Sequence, residues 1–214
     1  MRTLSRIVLA SASPRRLALL RSLGLTVEVT VSGYEEGQSQ VPLTPAELAS
    51  HHAGEKLAAV TSRQGAAFDV PAVAADTVVD LDGIALGKPR DAAEAVSMLA
   101  RLSGREHLVH TAFALAVPGV AARTLERTTT VVRFYPLEPH EIAEYVATGE
   151  PFDKAGAYGI QGRAASLVES IDGDFYTVVG LPLAGLIRAL RRLGFALPET
   201  KAVRPKTGTA EANT

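Results

Sequence analysis

The sequence of 214 residues contains no cysteine, and its charges nearly cancel, leaving a formal net charge of −1. Without cysteine the chain can form neither disulfides nor a thiolate nucleophile, and we expect no structural zinc site. The small net charge gives the molecule no overall attraction for nucleic acid or anionic membranes. No apolar run approaches the ~20 residues that a membrane-spanning helix needs, and no signal peptide is evident. We therefore expect a soluble, cytoplasmic protein without a nucleic-acid or membrane partner.

Several catalytic signatures are also absent. The sequence has no Gly-x-x-x-x-Gly-Lys-Ser/Thr loop, no His-Glu-x-x-His pattern and no serine in a nucleophile elbow. The spacing of Gly156, Gly159 and Gly162 differs from that of a dinucleotide-binding fingerprint. His51 and His52 share a predicted helix, but adjacent histidines face different directions. We therefore interpret both as structural.

The pattern of apolar residues predicts strands and helices that alternate early in the chain, followed by adjacent strands. The predicted helices span residues 14–23, 45–63, 91–102, 138–148 and 181–193. The predicted strands span residues 7–10, 26–31, 70–81 (interrupted at Asp76), 108–117, 124–135 and 166–171. The two longest strands, joined through Pro118-Gly119, are expected to pair antiparallel. This order favours an α/β fold with a mixed sheet. We expect residues 1–197 to form one domain and the polar residues 198–214 a disordered tail.

Local signals mark where some of these elements begin and end. Thr44 and Glu47 predict a capping box at the start of the second helix, and Asp91 and Glu94 predict another at the start of the third. The dipeptide Asp82-Gly83 predicts a hairpin at the end of the third strand.

The stretch after the first strand predicts an anion-binding site. Ser11 and Ser13 form a turn, Pro14 occupies the first helical position, and Arg15 and Arg16 follow within the first turn of the helix. Cations at a helix N-terminus are unfavourable unless an anion binds there. Free backbone N–H groups, hydroxyls and guanidinium groups would then converge on a phosphate-sized ligand. The alternative is that both arginines point into solvent and Ser13 is only an N-cap.

Two acidic residues are candidates for holding a divalent cation. Asp76 lies among small and β-branched residues of a predicted strand, where a carboxylate is costly unless it is paired, hydrogen-bonded or bound to a metal. The alternative for Asp76 is a strand-edge position facing solvent. Glu36 lies in a predicted loop, where an acidic residue needs no special explanation. Together they could bind a cation through their oxygens.

Three further polar residues have ambiguous roles. Lys88 lies between Gly87 and Pro89, in a loop that would suit a phosphate, but surface lysines are common. Lys56 on the second helix is ambiguous for the same reason. Gln161 lies between two glycines, where its amide could reach the edge of a nucleobase or belong to an ordinary loop.

Taken together, these residues resemble the Maf family of nucleoside triphosphate pyrophosphatases, often described as septum-formation proteins, over roughly residues 4 to 195. The motifs that carry the resemblance are, in chain order, Ser11-Ala12-Ser13-Pro14-Arg15-Arg16, Glu35-Glu36, Ala75-Asp76-Thr77-Val78-Val79, Gly87-Lys88-Pro89, the run from Asp153 to Gly162, and Val178-Val179-Gly180-Leu181-Pro182-Leu183. Each motif alone is weak, but this combination in this order is specific.

The resemblance implies an α/β, inosine-triphosphatase-like fold with two lobes around a cleft, and a homodimer. It implies hydrolysis of a nucleoside triphosphate to the monophosphate and pyrophosphate with a divalent cation, Mg²⁺ or Mn²⁺. Carried over by motif position, the catalytic residues would be Asp76, Glu36 and Lys56, and the metal ligands Glu36 and Asp76. The substrate-binding residues would be Ser11, Ser13, Arg15, Arg16, Thr77, Lys88 and Gln161.

The resemblance also implies a substrate preference. In one branch of the family, the positions of Arg15, Thr77 and Gln161 mark a preference for dTTP and UTP, and this sequence has that set. Another branch has Asp-Gln in place of Asp76-Thr77, has glutamate in place of Gln161, and prefers 7-methyl-GTP. Two other classes of function remain open. One is a non-enzymatic nucleotide sensor that regulates cell division, and the other is a nucleotidyl- or phosphotransferase.

Overall fold

The computed structural model describes residues 1–35, 42–64 and 69–199. The helices are α1 (Pro14–Ser22), α2 (Pro45–Gln64), α3 (Ala92–Leu102), α4 (Pro139–Ala147), α5 (Phe175–Val179) and α6 (Leu183–Arg192). The strands are β1 (Arg2–Thr3), β2 (Arg6–Leu9), β3 (Thr26–Val29), β4 (Ala72–Leu81), β5 (Ile84–Leu86), β6 (Glu106–Ala116), β7 (Thr124–Phe134), β8 (Val168–Asp172) and β9 (Phe195–Ala196). Glu36 and the predicted tail from residue 200 onward lie outside the described residues. None of the described helices is both long enough and apolar enough to cross a lipid bilayer.

The predicted mixed sheet is confirmed. Its strands follow the order β3-β2-β4-β6-β7-β8, and β5 pairs with β4. The pairs β2–β3 and β2–β4 are parallel, whereas β4–β5, β4–β6, β6–β7 and β7–β8 are antiparallel. The antiparallel pairing expected for the two longest strands is that of β6 with β7. Separately, β1 and β9 form a small parallel pair that joins the two ends of the described chain.

The sequence signals at the helix starts are confirmed at α2 and half confirmed at α3. At α2, Glu47 N donates to Thr44 Oγ1 (3.3 Å) and Thr44 N donates to the Glu47 carboxylate (2.9 Å), which completes the predicted capping box. At α3, Glu94 N donates to Asp91 Oδ1 (2.8 Å). The Glu94 carboxylate, however, accepts from Arg90 N (2.7 Å) and Arg90 Nε (2.8 Å). A capping box would have it accept from the backbone N–H of Asp91.

The prediction that Asp76 interrupts its strand is wrong. Strand β4 continues through this residue, with Asp76 opposite Ala112 of β6. A carboxylate can stay within the strand because its side chain has a cationic partner, described below. The Asp82-Gly83 hairpin between β4 and β5 is confirmed, with Gly83 N donating to Asp80 Oδ1 at 2.7 Å.

Strand β4 lies between two layers of apolar side chains because alternate residues of a strand point to opposite faces. Ala72, Ala74 and Val78 pack on the side of α2, while Val73 and Val79 pack on the opposite side. On that opposite side one apolar cluster contains residues of α1 and α6, and another contains residues of α3 and α4. Strand β4, in the middle of the sheet, is thus covered on both faces.

The pairing of β4 leaves part of one edge open. Strand β2 pairs with β4 up to Val73, and β5 pairs with it from Val79 onward. Within the described residues, positions 74–78 pair only with β6. Asp76 and Thr77 lie in this gap, which places them beside the end of β2 and the start of α1.

Candidate active site

A cleft of about 720 Å³ lies along the open edge of β4. One wall comes from the turn before α1, residues 31–34 and α2, and the other from the loop after β5 and residues 153–161. A cleft of this volume has the size of a small-molecule or nucleotide site. All the predicted site residues that the structure describes line it: Ser11, Ser13, Arg15, Arg16, Lys56, Asp76, Thr77, Lys88 and Gln161. Glu36, predicted as a catalytic residue and metal ligand, lies outside the described residues.

The turn before α1 is shaped by its two serines. Ser13 is the N-cap of α1 and accepts from Arg16 N at 3.5 Å, and Pro14 follows it at the start of the helix. Ser13 N donates in turn to Ser11 Oγ at 3.2 Å. The N-terminus of α1 thus faces the cleft, and its positive dipole end favours an anion there.

The two arginines of this turn point in different directions. Arg15 Nη1 donates to Asp153 Oδ2 at 3.1 Å on the opposite wall of the cleft. Arg16 is only 9% exposed. Its guanidinium donates to Gly180 O (2.8 Å), Ser11 Oγ (3.2 Å) and Thr77 Oγ1 (3.1 Å). The expected alternative, with both arginines in solvent, therefore does not hold for Arg16.

Asp153 joins two cations of the cleft. Besides the contact with Arg15, its Oδ1 accepts from Lys154 Nζ at 2.5 Å. Burial alone would raise the pKa of Asp153, but hydrogen bonds and charge from Lys154 and Arg15 outweigh this and hold the pKa below its usual range. Lys154 also donates to Glu150 O at 2.5 Å and lines the cleft. Sequence reasoning did not single it out, although it lies inside the longest of the matching motifs.

The most buried charges of the cleft belong to Asp76 and Lys56. Lys56 Nζ lies 2.6 Å from Asp76 Oδ1, with side chains 10% and 8% exposed. The alternative of a solvent-facing aspartate at a strand edge is therefore wrong. Because α2 crosses the face of β4 to which Asp76 points, Lys56 reaches the carboxylate from a helix that precedes it in sequence. A buried carboxylate held this closely is a candidate for proton transfer or cation binding.

The opposite wall carries Lys88 and Gln161, and both are exposed. Lys88 lies in the loop after β5. A backbone hydrogen bond from Gly156 N to Gly87 O (3.0 Å) joins this loop to residues 153–161 of the same wall. Gly156 has a φ of +68°, and a Cβ there would lie 3.0 Å from both methyl groups of Val79. Glycine is needed at this position because it permits the left-handed conformation and the close approach to β4.

An aromatic cluster supports the loop that ends in Gln161. The rings of His107, Phe134 and Tyr158 meet edge to face, and His107 Nε2 lies 2.6 Å from Tyr158 Oη. Burial lowers the pKa of His107 to about 4 and raises the pKa of Tyr158. The imidazole is therefore neutral near pH 7, and it fixes the tyrosine three residues before Gln161.

Two residues that sequence reasoning did not assign to the site also line the cleft. His52 is buried, and its Nδ1 lies 3.0 Å from the hydroxyl of Tyr34. His51 is exposed, as expected for adjacent histidines that face different directions. The signal that could have found His52 is its position four residues before Lys56, which places both on one face of α2.

The described residues contain no group of three or more His, Asp or Glu side chains that could hold a metal ion by itself. Asp76 is nevertheless a suitable ligand, since only its Oδ1 is hydrogen-bonded by Lys56. Mg²⁺-like cations commonly bind through one or two carboxylates together with substrate phosphates. The carboxylate of Asp76 therefore fits a cation whose other ligands come from a bound anion, such as phosphate oxygens.

Comparison with known proteins gives a consistent result. The family described as Maf-like protein matches residues 6–193. A dTTP/UTP pyrophosphatase of Thermus thermophilus is 49% identical over 190 residues, which are 88% of this chain and 95% of that protein. The dTTP/UTP pyrophosphatase of Symbiobacterium thermophilum is 48% identical, covering 91% and 97% of the two chains. That of Bacillus velezensis is 46% identical, covering 87% and 95%.

Proposed function

This chain belongs to the Maf-like protein family, and we propose that it hydrolyses dTTP and UTP to the nucleoside monophosphate and pyrophosphate. The observation that carries the proposal is its identity of 44% to 49% with relatives named dTTP/UTP pyrophosphatase, over nearly the whole of both chains. The charges in the cleft support it, because cationic side chains line the cleft together with the buried carboxylate of Asp76.

In this proposal the triphosphate lies against the N-terminus of α1. Its roughly four negative charges face the backbone N–H groups of the turn, the hydroxyls of Ser11 and Ser13, and the cations Arg15 and Lys88. Arg15 is only partly exposed and already binds a carboxylate across the cleft, so a phosphate oxygen is a natural substitute for that partner.

Asp76 acts as the general base. A water molecule attacks the α-phosphorus, its proton passes to the Asp76 carboxylate, and the bond between the α-phosphorus and the bridging oxygen to the β-phosphorus breaks. Pyrophosphate leaves with the electron pair of that bond. Lys56 holds the carboxylate in place through the 2.6 Å contact, so the base is positioned before substrate arrives.

Asp76, together with Glu36, would hold the divalent cation, Mg²⁺ or Mn²⁺. When bound, this cation would polarise the α-phosphoryl group and neutralise part of the triphosphate charge.

Gln161 faces the base in this proposal. Uracil and thymine present an N3–H donor beside carbonyl acceptors, and a glutamine amide supplies one acceptor and one donor group to match them. Gln161 lies three residues after Tyr158, whose hydroxyl is held by His107. The backbone before Gln161 is therefore held in place, although the Gln161 side chain is exposed.

The test is an assay of pyrophosphate release by the purified protein over a panel of nucleoside triphosphates, with Mg²⁺ or Mn²⁺. We expect dTTP and UTP to be the preferred substrates and the matching monophosphate to be the only other product. Absence of pyrophosphate release would instead favour a nucleotide sensor that regulates cell division. A product other than the free monophosphate would favour a transferase.

We also propose that the enzyme is a homodimer, as its family resemblance implies. Analytical ultracentrifugation at micromolar concentration tests this, and a monomer there would contradict it.

A further inference from the structure

A line of buried hydroxyl groups runs from the cleft into the sheet. Thr111 of β6 is opposite Thr77 of β4 in the strand register, and their Oγ1 atoms are 2.9 Å apart. Thr111 is fully buried, and its hydroxyl donates to Thr177 O of α5 at 2.7 Å. At the cleft end, Thr77 Oγ1 is 3.1 Å from Arg16 Nη2.

The direction of every hydrogen bond in this line is determined by counting protons. A hydroxyl has one proton to donate. Thr111 gives its proton to Thr177 O, so Thr77 must be the donor in the contact between the two threonines. Thr77 can then offer only oxygen lone pairs on its other side, and a guanidinium N–H of Arg16 meets one of them. The order is therefore Arg16 to Thr77 to Thr111 to the carbonyl of Thr177.

This order matters for the turn that faces the cleft. Arg16 also donates to Ser11 Oγ, which accepts from Ser13 N as well. The hydroxyl of Ser11 lines the cleft beside the N-terminus of α1. A rotation of the Arg16 guanidinium would therefore shift Ser11 Oγ, the atom that accepts from Ser13 N in the turn before α1.

We infer that Thr111, which does not line the cleft, is a positioning residue for the reaction. Its hydroxyl accepts the proton of Thr77 and so fixes the rotation of the Thr77 hydroxyl and the direction of the lone pair that meets Arg16, which can only donate. Arg16 in turn holds Ser11 and the turn before α1 in place. This inference rests on the proposed function for its kinetic test, but a binding measurement tests it independently.

The substitution Thr111→Val removes the hydroxyl and keeps the shape of the side chain. Thr77 then loses its acceptor, its hydroxyl can rotate, and Arg16 loses a fixed partner. We expect kcat/KM for dTTP to fall about tenfold, the effect of losing one buried hydrogen bond, with most of the loss in KM. Binding of inorganic pyrophosphate, measured by calorimetry, should weaken by a similar factor. Thr111→Ser keeps the hydroxyl and should restore most of both values.

Thr130→Val is the matched control. Thr130 is also fully buried, and its hydroxyl donates to Asp174 O, next to α5, at 2.9 Å. Both threonines therefore hold the same short helix to the sheet, but Thr130 is not part of the line from Arg16. A comparable loss of thermal stability in Thr130→Val with unchanged pyrophosphate binding supports the inference. Equal losses of binding in both variants would overturn it, because the effect would then come from α5.

A double-mutant cycle with Thr77→Val separates positioning from a general effect. If Thr111 acts through Thr77, adding Thr111→Val to Thr77→Val should change pyrophosphate binding less than twofold. Independent, additive effects would overturn the inference. If Thr111→Val does not fold, Thr77→Val interrupts the same line from a half-buried position, and unchanged pyrophosphate binding in that variant would overturn it. A parent protein that binds pyrophosphate but releases none from dTTP would instead contradict the proposed function.

Discussion

Lys56 Nζ lies 2.6 Å from Asp76 Oδ1 beneath the open edge of β4, and both side chains are almost completely removed from solvent. Breaking a buried ion pair by removing one charge leaves the other charge uncompensated. The same carboxylate is the proposed general base. Its removal should therefore affect both turnover and folding.

We expect Asp76→Asn to lower kcat at least ~100-fold, because the variant cannot accept the proton of the attacking water. We expect it also to lower the free energy of unfolding by about 3 kcal/mol, the lower end for a broken buried pair, since asparagine can still accept from Lys56. The sequence alone does not show that Lys56 pairs with Asp76. Without that pair, loss of a buried carboxylate would be expected to leave the free energy of unfolding equal or higher. Denaturant titration and a pyrophosphate assay measure the two effects.

Asp80→Asn provides a matched control for Asp76→Asn. Asp80 is similarly buried on the same face of β4, where it contacts His110 Nε2 at 3.2 Å and Gly83 N at 2.7 Å, but it does not line the cleft. The Asp80→Asn variant should have a lower free energy of unfolding than the parent but a kcat within a few-fold of the parent value. Near-normal turnover of Asp76→Asn would show that Asp76 has only a structural role.

The two arginines of α1 should respond differently to alanine substitution. Arg15→Ala should leave the free energy of unfolding within about 0.5 kcal/mol, because its contact with Asp153 is partly exposed. It should strongly reduce stabilisation by pyrophosphate, which for the parent is about 2.7 kcal/mol at a hundredfold excess over Kd. Arg16→Ala should destabilise the free protein by more than 1 kcal/mol, since it removes the side-chain donor of the Gly180 carbonyl and one hydrogen bond from each of two hydroxyls. Thermal melts with and without pyrophosphate measure both, and equal ligand stabilisation in Arg15→Ala and parent would place the anion site elsewhere.

The local parts of this fold were predictable from sequence, whereas the long-range contacts were not. The starts of α1 and α2 follow from Ser13-Pro14 and from the pair Thr44 and Glu47, because capping acts within a few residues. Helix α6 begins at Leu183, two residues later than predicted, because Pro182 occupies its N-cap. Helix α5 was missed, since five residues are too few to show a helical period.

The described residues of the candidate site, which line one cleft, were predictable as a set, but their partners were not. The types of residue at Ser11, Arg15 and Asp76 already indicate phosphate and cation chemistry. The contact of Arg15 with Asp153 spans 138 positions in sequence, and only the folded sheet brings the two together. Likewise, nothing near Thr77 in sequence indicates that Thr111 accepts its proton, because that follows from the register of β4 with β6.

Asp153 should restrain anion binding in the free protein. Its carboxylate occupies Arg15 and Lys154, both of which line the cleft, and a phosphate must compete with it. We expect Asp153→Asn to bind pyrophosphate several-fold more tightly at low salt, with a steeper dependence on ionic strength. Asp82→Asn, which breaks an exposed contact of 2.7 Å with Arg105 away from the cleft, should leave the affinity unchanged. Weaker binding by Asp153→Asn would mean that its carboxylate orients the two cations and does not compete with the anion.

Gln161→Glu should change the base preference of the enzyme. The substitution removes an amide donor and places a negative charge next to a carbonyl oxygen of uracil or thymine. We expect kcat/KM for dTTP and UTP to fall by ~10–1000-fold, the effect of unpairing one or two polar groups in the bound complex. The value of kcat/KM for purine triphosphates should fall less, so the ratio of pyrimidine to purine activity should fall. Gln161→Met separates the loss of hydrogen bonds from the added charge, and an unchanged ratio in both variants would show that Gln161 does not contact the base.

His107 should make the protein less stable in mild acid. Burial lowers its pKa in the folded protein to about 4, from 6.5 for an ordinary histidine. Between these values the unfolded chain binds a proton that the folded protein does not, so lowering the pH favours unfolding. The contribution of neutral His107 is therefore complete above pH 6.5, is lost progressively as the pH falls towards 4, and amounts to roughly 3 kcal/mol over that interval.

The pH dependence of His107 can be isolated from that of the other titrating groups by comparing variants. His107→Gln keeps a polar group beside the hydroxyl of Tyr158 and removes the titration. We expect the difference in free energy of unfolding between pH 7 and pH 4.5 to shrink by about 2 kcal/mol in this variant. His140→Gln, which replaces an exposed histidine of α4, should behave like the parent. Because His107 stays neutral in the folded protein between pH 6.5 and about 4, its titration should not change the affinity of the folded protein for dTTP in this range.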